Sequence, residues 1–199
     1  MRIDDAIAQI AEIHQHLDRN EVFRGYRAVP VLISAVVALL GASLQPLLVH
    51  GDIQFVWFWI GIATINIAIC GIDILSHYLR DDGHRRRQAR RTMAQLLPSL
   101  GVGLMLTAIL LLQGGELIPW LPGLWTTLFG LGLLSARPNL PRAIGWVGCF
   151  YVLAGGGLLC LADSGASLSP WGMGATFGLG QLAAARVLHR NVERQCHEL

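Results

Sequence analysis

The sequence predicts an all-α fold, a polytopic membrane helix bundle with about six transmembrane helices. Of its 199 residues, 53% are hydrophobic and only 14% are charged, whereas soluble domains carry roughly 25% charged residues. The apolar residues fall in long blocks, and all the basic residues fall on one side of those blocks. This composition leaves too little polar surface to cover a water-soluble body.

Six apolar blocks approach the roughly 20 residues that a helix needs to cross the hydrocarbon core. They are 29–49, 53–76, 94–113, 117–135, 143–162 and 170–188. We therefore predict a cytoplasmic amphipathic helix and linker over 1–27, a six-helix transmembrane domain over 28–188, and a cytoplasmic tail over 189–199. Residues 1–20 have no apolar core or cleavage site and do not resemble a signal peptide.

The arginines set the predicted orientation. All 15 basic residues are Arg, and they lie before the first block, after the second, after the fourth and after the sixth. The only charged residues in the opposite loops are Asp52, Glu116 and Asp163. The positive-inside rule then places both termini in the cytoplasm. Because the composition is rich in Arg, Ala, Gly and Leu, we expect a bacterial inner-membrane protein. The net charge of +2 is too small to indicate nucleic-acid binding.

A weak internal repeat is visible in the fourth and sixth blocks. Residues 129–137 (FGLGLLSAR) resemble 177–186 (FGLGQLAAAR), and a Pro-Trp pair precedes each. Prolines also lie at or just before the odd-numbered blocks, at Pro30, Pro98 and Pro141. The pattern predicts three repeated hairpins, and chance similarity between Gly/Leu-rich segments is the alternative.

An amphipathic helix is predicted over residues 3–18. Its apolar face recurs with a 3.6-residue period and consists of Ile3, Ile7, Ile10, His14 and Leu17. The polar face is acidic, whereas a helix that lies on anionic lipid is basic. We therefore expect this face to bind protein, either a partner or a second copy, with packing on the chain's own bundle as the alternative.

The second block contains a polar face. Asn66, Cys70, Asp73 and His77 are spaced so that they share one side of a helix. An ionisable residue within a span is costly and often functional. A structural salt bridge between Asp73 and a nearby arginine is the simpler interpretation, and an ion or proton site is the alternative.

The basic segment at 80–91 is predicted to be a cytoplasmic loop and the main determinant of topology. Its candidate contacts with anionic lipid or an acidic partner are Arg85, Arg86, Arg87, Arg90 and Arg91, each worth about 1 kcal/mol near an anionic surface. No spacing of Cys or His predicts a disulfide, a metal site or another cofactor. The small residues at Gly174 and Gly178 predict close helix packing.

Residues 10–19 (IAEIHQHLDR), followed by Phe23 and by Val29-Pro30 at the start of a span, resemble a loose group of uncharacterised bacterial six-span membrane proteins. These proteins have a short N-terminal cytoplasmic helix. The resemblance implies the architecture and carries no activity or site residue.

The sequence alone favours a non-enzymatic accessory, scaffold or regulatory subunit that engages a partner through helix 3–18 and the 80–91 loop. The alternative is a small transporter or channel that uses the polar face around Asp73. An intramembrane enzyme would need a nucleophile and a base at one depth, and Cys70 and His77 are roughly 10 Å apart along the helix.

Overall fold

The computed structural model describes residues 28–80 and 83–197, with side chains described outside 73–80, 83–89, 91, 139 and 191–197. Within these ranges the chain is helical and contains no β-strand, which confirms the prediction of an all-α fold. The α-helices are α1 (Ala28–Leu48), α2 (Asp52–Arg80), α3 (Gly83–Leu112), α4 (Leu121–Ala136), α5 (Ile144–Cys160) and α6 (Pro170–His197). The predicted amphipathic helix 3–18 lies outside the described residues.

Membrane-spanning character is clear in the first four helices. The segments Ala28–Leu48, Asp52–Ile72, Thr92–Leu112 and Ile118–Ala136 are each long and apolar enough to cross a bilayer. Helix α5 is shorter, with 17 residues, or about 25 Å at a rise of 1.5 Å per residue. Helix α6 is long, but its glycines, Gln181 and Arg186 lower its hydropathy. The chain is thus built like a membrane protein with four candidate spans. The prediction of six spans also requires α5 and α6 to cross the membrane.

The basic segment differs from its prediction. Gly83 begins a helix that runs without interruption to Leu112, so most of the predicted 80–91 loop is the first part of α3. Arg, Gln and Ala are good helix formers, and they extend the helix beyond the apolar block. Pro98 lies near the start of the apolar segment Thr92–Leu112, as predicted, and the 30-residue helix continues through it.

The helices form a ring in chain order that closes where α6 packs against α1. The α1–α6 and α4–α5 pairs have the most extensive contacts, and α2–α3 has the fewest of the neighbouring pairs in the described part of the chain. Small residues permit the close pairs. A Cβ on Gly174 would overlap the Cβ of Ala42, and one on Gly178 would lie 2.6 Å from Leu39 Cδ2. Both glycines of this predicted motif therefore serve packing within the chain.

Two clusters of buried side chains lie towards the two ends of the ring. We call the end with exposed Arg90, Arg137, Arg142, Arg186 and Arg190 the basic end. The cluster near the basic end consists of Val31, Ala136, Leu140, Ile144, Val147, Tyr151, Ala184, Ala185 and Leu188. The cluster near the opposite end consists of Phe55, Val56, Trp59, Ile118, Leu121 and Met173. The middle of the ring, between them, is where the structure leaves space.

The close α1–α6 contact predicts that Gly174→Ala lowers stability by about 1–3 kcal/mol, because the new methyl group overpacks the interface. The matched control is Gly157→Ala on α5, where an added Cβ has nothing within 4 Å and helix propensity favours Ala by about 0.5–1 kcal/mol. Thermal unfolding of the purified protein in detergent measures both. Equal shifts of the melting temperature would contradict this packing.

Candidate functional site

A cavity of about 400 Å³ lies inside the ring, between the two buried clusters. Every helix except α5 contributes residues to its lining. Most of the lining is apolar, and none of the described lining residues is charged. The volume is within the range of about 300–1,000 Å³ that small-molecule sites occupy. The cavity is therefore the candidate site of this protein.

Aromatic side chains form the wall of the cavity that belongs to α4 and α6. The rings of Phe129 and Phe177 both line it, with centroids 5.5 Å apart. Tyr151 of α5 supports them from behind and is fully buried. Its ring packs edge-on against Phe129 at 4.9 Å, and its hydroxyl donates a hydrogen bond to the Phe177 carbonyl at 3.3 Å. The wall is thus fixed by contacts among three helices.

Polar side chains gather at the end of the cavity nearer the basic end. They are Ser34 of α1, Asn66 of α2, Ser99 of α3 and Gln181 of α6. On α1, α3 and α6, each is the lining residue closest to the basic end, and on α2 only Ile67 lies further along. The helices alternate in direction, so these four positions lie at similar depth. We call this set the polar floor.

Asn66 is the unusual member of the polar floor. Its Oδ1 atom is buried and accepts no hydrogen bond from the part of the chain that the structure describes. Leaving a buried polar atom without a partner costs about 1–3 kcal/mol. Native structures retain few such atoms, and each calls for an explanation such as a missing partner. A bound group that donates a hydrogen bond would supply that partner.

The far end of the cavity is polar as well, but its hydrogen bonds are satisfied. Trp59 Nε1 donates to Gln45 Oε1 at 2.9 Å, and Gln45 Nε2 donates to the Leu168 carbonyl at 3.0 Å. Nearby, Trp125 Nε1 donates to Thr107 Oγ1 at 2.8 Å, and Thr107 donates to the Gly103 carbonyl at 2.7 Å. These bonds link α1 with α2 and α3 with α4, and they close the far end.

The cavity opens sideways between α2 and α3. Of the described lining residues, the exposed ones belong only to these two helices: Ala63, Thr64 and Ile67 of α2, and Leu100 and Leu104 of α3. We call this set the mouth. It lies in the central part of the apolar segments Asp52–Ile72 and Thr92–Leu112. In a bilayer that these segments cross, the mouth therefore faces the hydrocarbon core rather than water.

The predicted polar face of α2 coincides with this site in part. Asn66 lines the cavity, and Cys70 Sγ lies 3.6 Å from Ser34 Oγ, within hydrogen-bonding distance of the polar floor. Asp73 and His77 lie on the same helix, further towards the basic end, and their side chains are outside the described ones. Two of the four predicted residues are thus brought to the cavity.

The other predicted contacts lie away from the cavity. Arg90 is exposed on the first part of α3. Arg85, Arg86, Arg87 and Arg91 share that helical segment, with side chains outside the described set. Among the described residues, no three His, Cys, Asp or Glu side chains come together as metal binding would require.

Several cavity residues were not identified from the sequence. Ser34 and Ser99 are single small polar residues in apolar blocks, and nothing in the sequence distinguishes them from solitary serines that bond their own helix. Gln181 carried a usable signal, because it replaces the leucine found at the matching place of the internal repeat, Leu133. The Trp59 and Trp125 indoles, which the sequence did not single out, also line the cavity.

No protein-family model matches this chain, and neither a curated protein nor a solved structure is similar to it. The resemblance of residues 10–19 and Val29-Pro30 to a loose group of bacterial membrane proteins therefore stays a prediction. The function is inferred below from the residues of the cavity and its mouth.

Proposed function

We propose that the chain crosses a bacterial inner membrane six times, with both termini in the cytoplasm. The six α-helices overlap the six apolar blocks of the sequence, and α6 packs along α1, which is itself long and apolar enough to span. With six spans, all 15 arginines fall on one side of the membrane. Five spans would separate Arg186 and Arg190 from the rest and lose the agreement with the positive-inside rule.

We also propose that the α3–α4 and α5–α6 hairpins descend from one repeated unit. Phe129 and Phe177 occupy matching places in the internal repeat and both line the cavity. The neighbouring glycines Gly130 and Gly178 also match, and each sits at a close helix contact. Shared roles at matching positions favour a repeat over chance similarity.

Our main proposal is that the protein is a small transporter that binds its substrate in the central cavity. The observation that carries it is Asn66, which lines the cavity and whose buried Oδ1 atom accepts no hydrogen bond from the described residues. An unmet acceptor of this kind costs stability, and a bound molecule that pairs with it would offset that cost. Cys70, Asp73 and His77 continue the same face of α2 towards the basic end. By helical spacing, this face would place polar residues between the cavity and the proposed cytoplasmic side.

Binding in the cavity predicts that Gly103→Phe removes a bound small molecule. Gly103 is buried and lines the cavity, so a phenyl group there occupies the substrate's space. Native mass spectrometry of protein purified gently from its own cells measures any bound mass. Gly101→Phe is the matched control, since this residue of the same helix is exposed with nothing within 4 Å of an added Cβ. Wild-type protein without a bound molecule, or equal loss in both variants, would contradict the proposal.

Transport, as opposed to binding alone, predicts a specific effect of Asp73→Asn. If Asp73 is an ion or proton site, the neutral amide leaves the bound molecule in place and abolishes its uptake into proteoliposomes. If Asp73 only forms a salt bridge, uptake continues and the melting temperature falls. The second result would remove Asp73 from the mechanism.

A second proposal is an accessory or regulatory subunit, and one observation favours it. The segment that contains Arg85, Arg86, Arg87, Arg90 and Arg91 is a continuous helix beyond the apolar part of α3. A helix presents basic groups in a fixed order, which suits an acidic protein surface. Helix 3–18, with its Ile3, Ile7 and Ile10 face, would supply the apolar part of such an interface, or join two copies of the chain.

This proposal predicts that a stoichiometric protein partner co-purifies with the full chain and is lost when residues 1–20 are deleted. Mass spectrometry of the gently purified complex measures this. The matched control changes Asp4 and Asp5 to Asn and keeps the apolar face intact. A chain that purifies alone in every form would overturn the accessory-subunit proposal.

A further inference from the structure

We propose that the cavity takes up a neutral, hydroxyl-bearing amphiphile with a single alkyl chain, and that this ligand enters sideways from the bilayer. The hydroxyl group donates to Asn66 at the polar floor, and the chain lies against the Phe129 and Phe177 wall. This inference rests on the proposed transport function and names the class of its substrate.

The route of entry follows from which parts of the cavity are packed and which lining residues are exposed. At the far end, the hydrogen bonds from Trp59 and Trp125 join neighbouring helices, and a cluster of buried side chains that includes Phe55, Leu121 and Met173 packs there. Among the described lining residues, the exposed ones are those of the mouth between α2 and α3, where Ile67 and Leu104 are 59% and 70% exposed. A molecule that reaches this opening has to be dissolved in the hydrocarbon core.

The charge of the ligand follows from the lining. No described lining residue is charged, and a charged group that leaves water for an apolar site needs a partner of opposite charge. A phosphate or quaternary ammonium head would find none here. The polar floor offers hydroxyl and amide groups, so a neutral head that forms hydrogen bonds fits its chemistry.

The direction of the hydrogen bond follows from Asn66. Its Oδ1 atom is buried, with no partner among the described residues, and a carbonyl oxygen can only accept. Asn66 lines the cavity, so a rotation of its side chain turns this oxygen towards a bound molecule. The ligand must therefore donate, as an alcohol does and an ether or ester does not. The same atom distinguishes an amphiphile from a plain hydrocarbon, which would leave the oxygen unpaired.

The size of the ligand follows from the volume. At about 30 Å³ for each water-sized group, a cavity of about 400 Å³ holds on the order of a dozen non-hydrogen atoms. One alkyl chain with a small head fills this space, and any longer part of the chain can extend through the mouth into the bilayer.

The test uses 1-dodecanol carrying a photoreactive diazirine in mid-chain, added to the full chain in phospholipid vesicles. We expect labelling of cavity residues such as Leu128 and Phe177 after illumination, mapped by mass spectrometry. Unlabelled 1-dodecanol should compete about fivefold better than dodecyl methyl ether at equal concentration in the membrane, which corresponds to the contribution of one hydrogen bond.

Variants of the two unpartnered buried polar atoms isolate the role of Asn66. Asn66→Leu should make the alcohol and the ether compete equally. Thr127→Val is the matched control, because Thr127 Oγ1 is also buried without a partner among the described residues, but it faces Gly155 of α5 and lies outside the cavity lining. This variant should keep the fivefold preference, and its loss here or its survival in Asn66→Leu would overturn the inference.

A second pair of variants tests entry through the mouth. Ala63→Trp places a large side chain at the mouth and should slow labelling of the cavity by at least several-fold. Gly61→Trp, on the exposed and open side of α2 outside the lining, should leave the labelling rate unchanged. Equal rates in the two variants would overturn lateral entry.

Failure of this inference can be told apart from failure of the proposed function. If no cavity residue is labelled by the dodecanol probe, an alkyl ligand from the bilayer is excluded. A bound molecule lost selectively in Gly103→Phe would then still support binding in the cavity, with a substrate of other chemistry. If neither experiment shows occupancy, both proposals fall.

Discussion

Close approach of helix backbones is the constraint on which the structure depends. Lipid chains are as apolar as the side chains they touch, so helices in a bilayer associate through van der Waals packing and hydrogen bonds rather than through the hydrophobic effect. The α1–α6 and α4–α5 pairs satisfy this constraint with glycine and alanine at their contacts, as at Ala42 and Gly174. Helix α2 does not, because Gly61 and Gly71 have open space beside them. Its neighbour α3 is similar at Gly101. The loose α2–α3 contact and the mouth between these helices follow from that difference.

The two ends of the cavity differ in their hydrogen bonding. At the far end, the Gln45 amide accepts a hydrogen bond from Trp59 and donates one to the Leu168 carbonyl, so both its oxygen and its nitrogen are paired. At the polar floor, Asn66 Oδ1 is buried in the same way and has no described partner. Both amides are in an apolar environment, where a polar atom without a hydrogen bond costs free energy. The first amide therefore joins separate parts of the fold, whereas the second retains an acceptor that the described residues leave unmet.

The helices could be predicted from the sequence because each is a block of apolar residues, and blocks of that length form helices in lipid. The start of α3 could not be predicted, because a run of arginines is compatible with either a loop or a helix. Only the continuous backbone hydrogen bonds of the structure show that it is a helix. Asn66 was identified as part of a polar face through its spacing from Cys70, and the structure places both beside the cavity. The polar floor as a set could not be predicted from the sequence. Ser34, Ser99 and Gln181 come to one depth through the register between helices, which depends on packing over the whole ring.

The fixed wall and the loose mouth face each other across the cavity, and this asymmetry determines where exchange can occur. Tyr151 binds α4 and α6 together behind the wall through its ring and its hydroxyl group, so Phe129 and Phe177 cannot part without breaking buried contacts. Movement of α2 away from α3 breaks few contacts in the described part of the chain. The easiest motion of the ring is therefore the one that widens the mouth. Because α2 also carries Asn66, the same motion shifts the acceptor oxygen. Under the proposed function, opening of the mouth would therefore change the strength of binding at the floor.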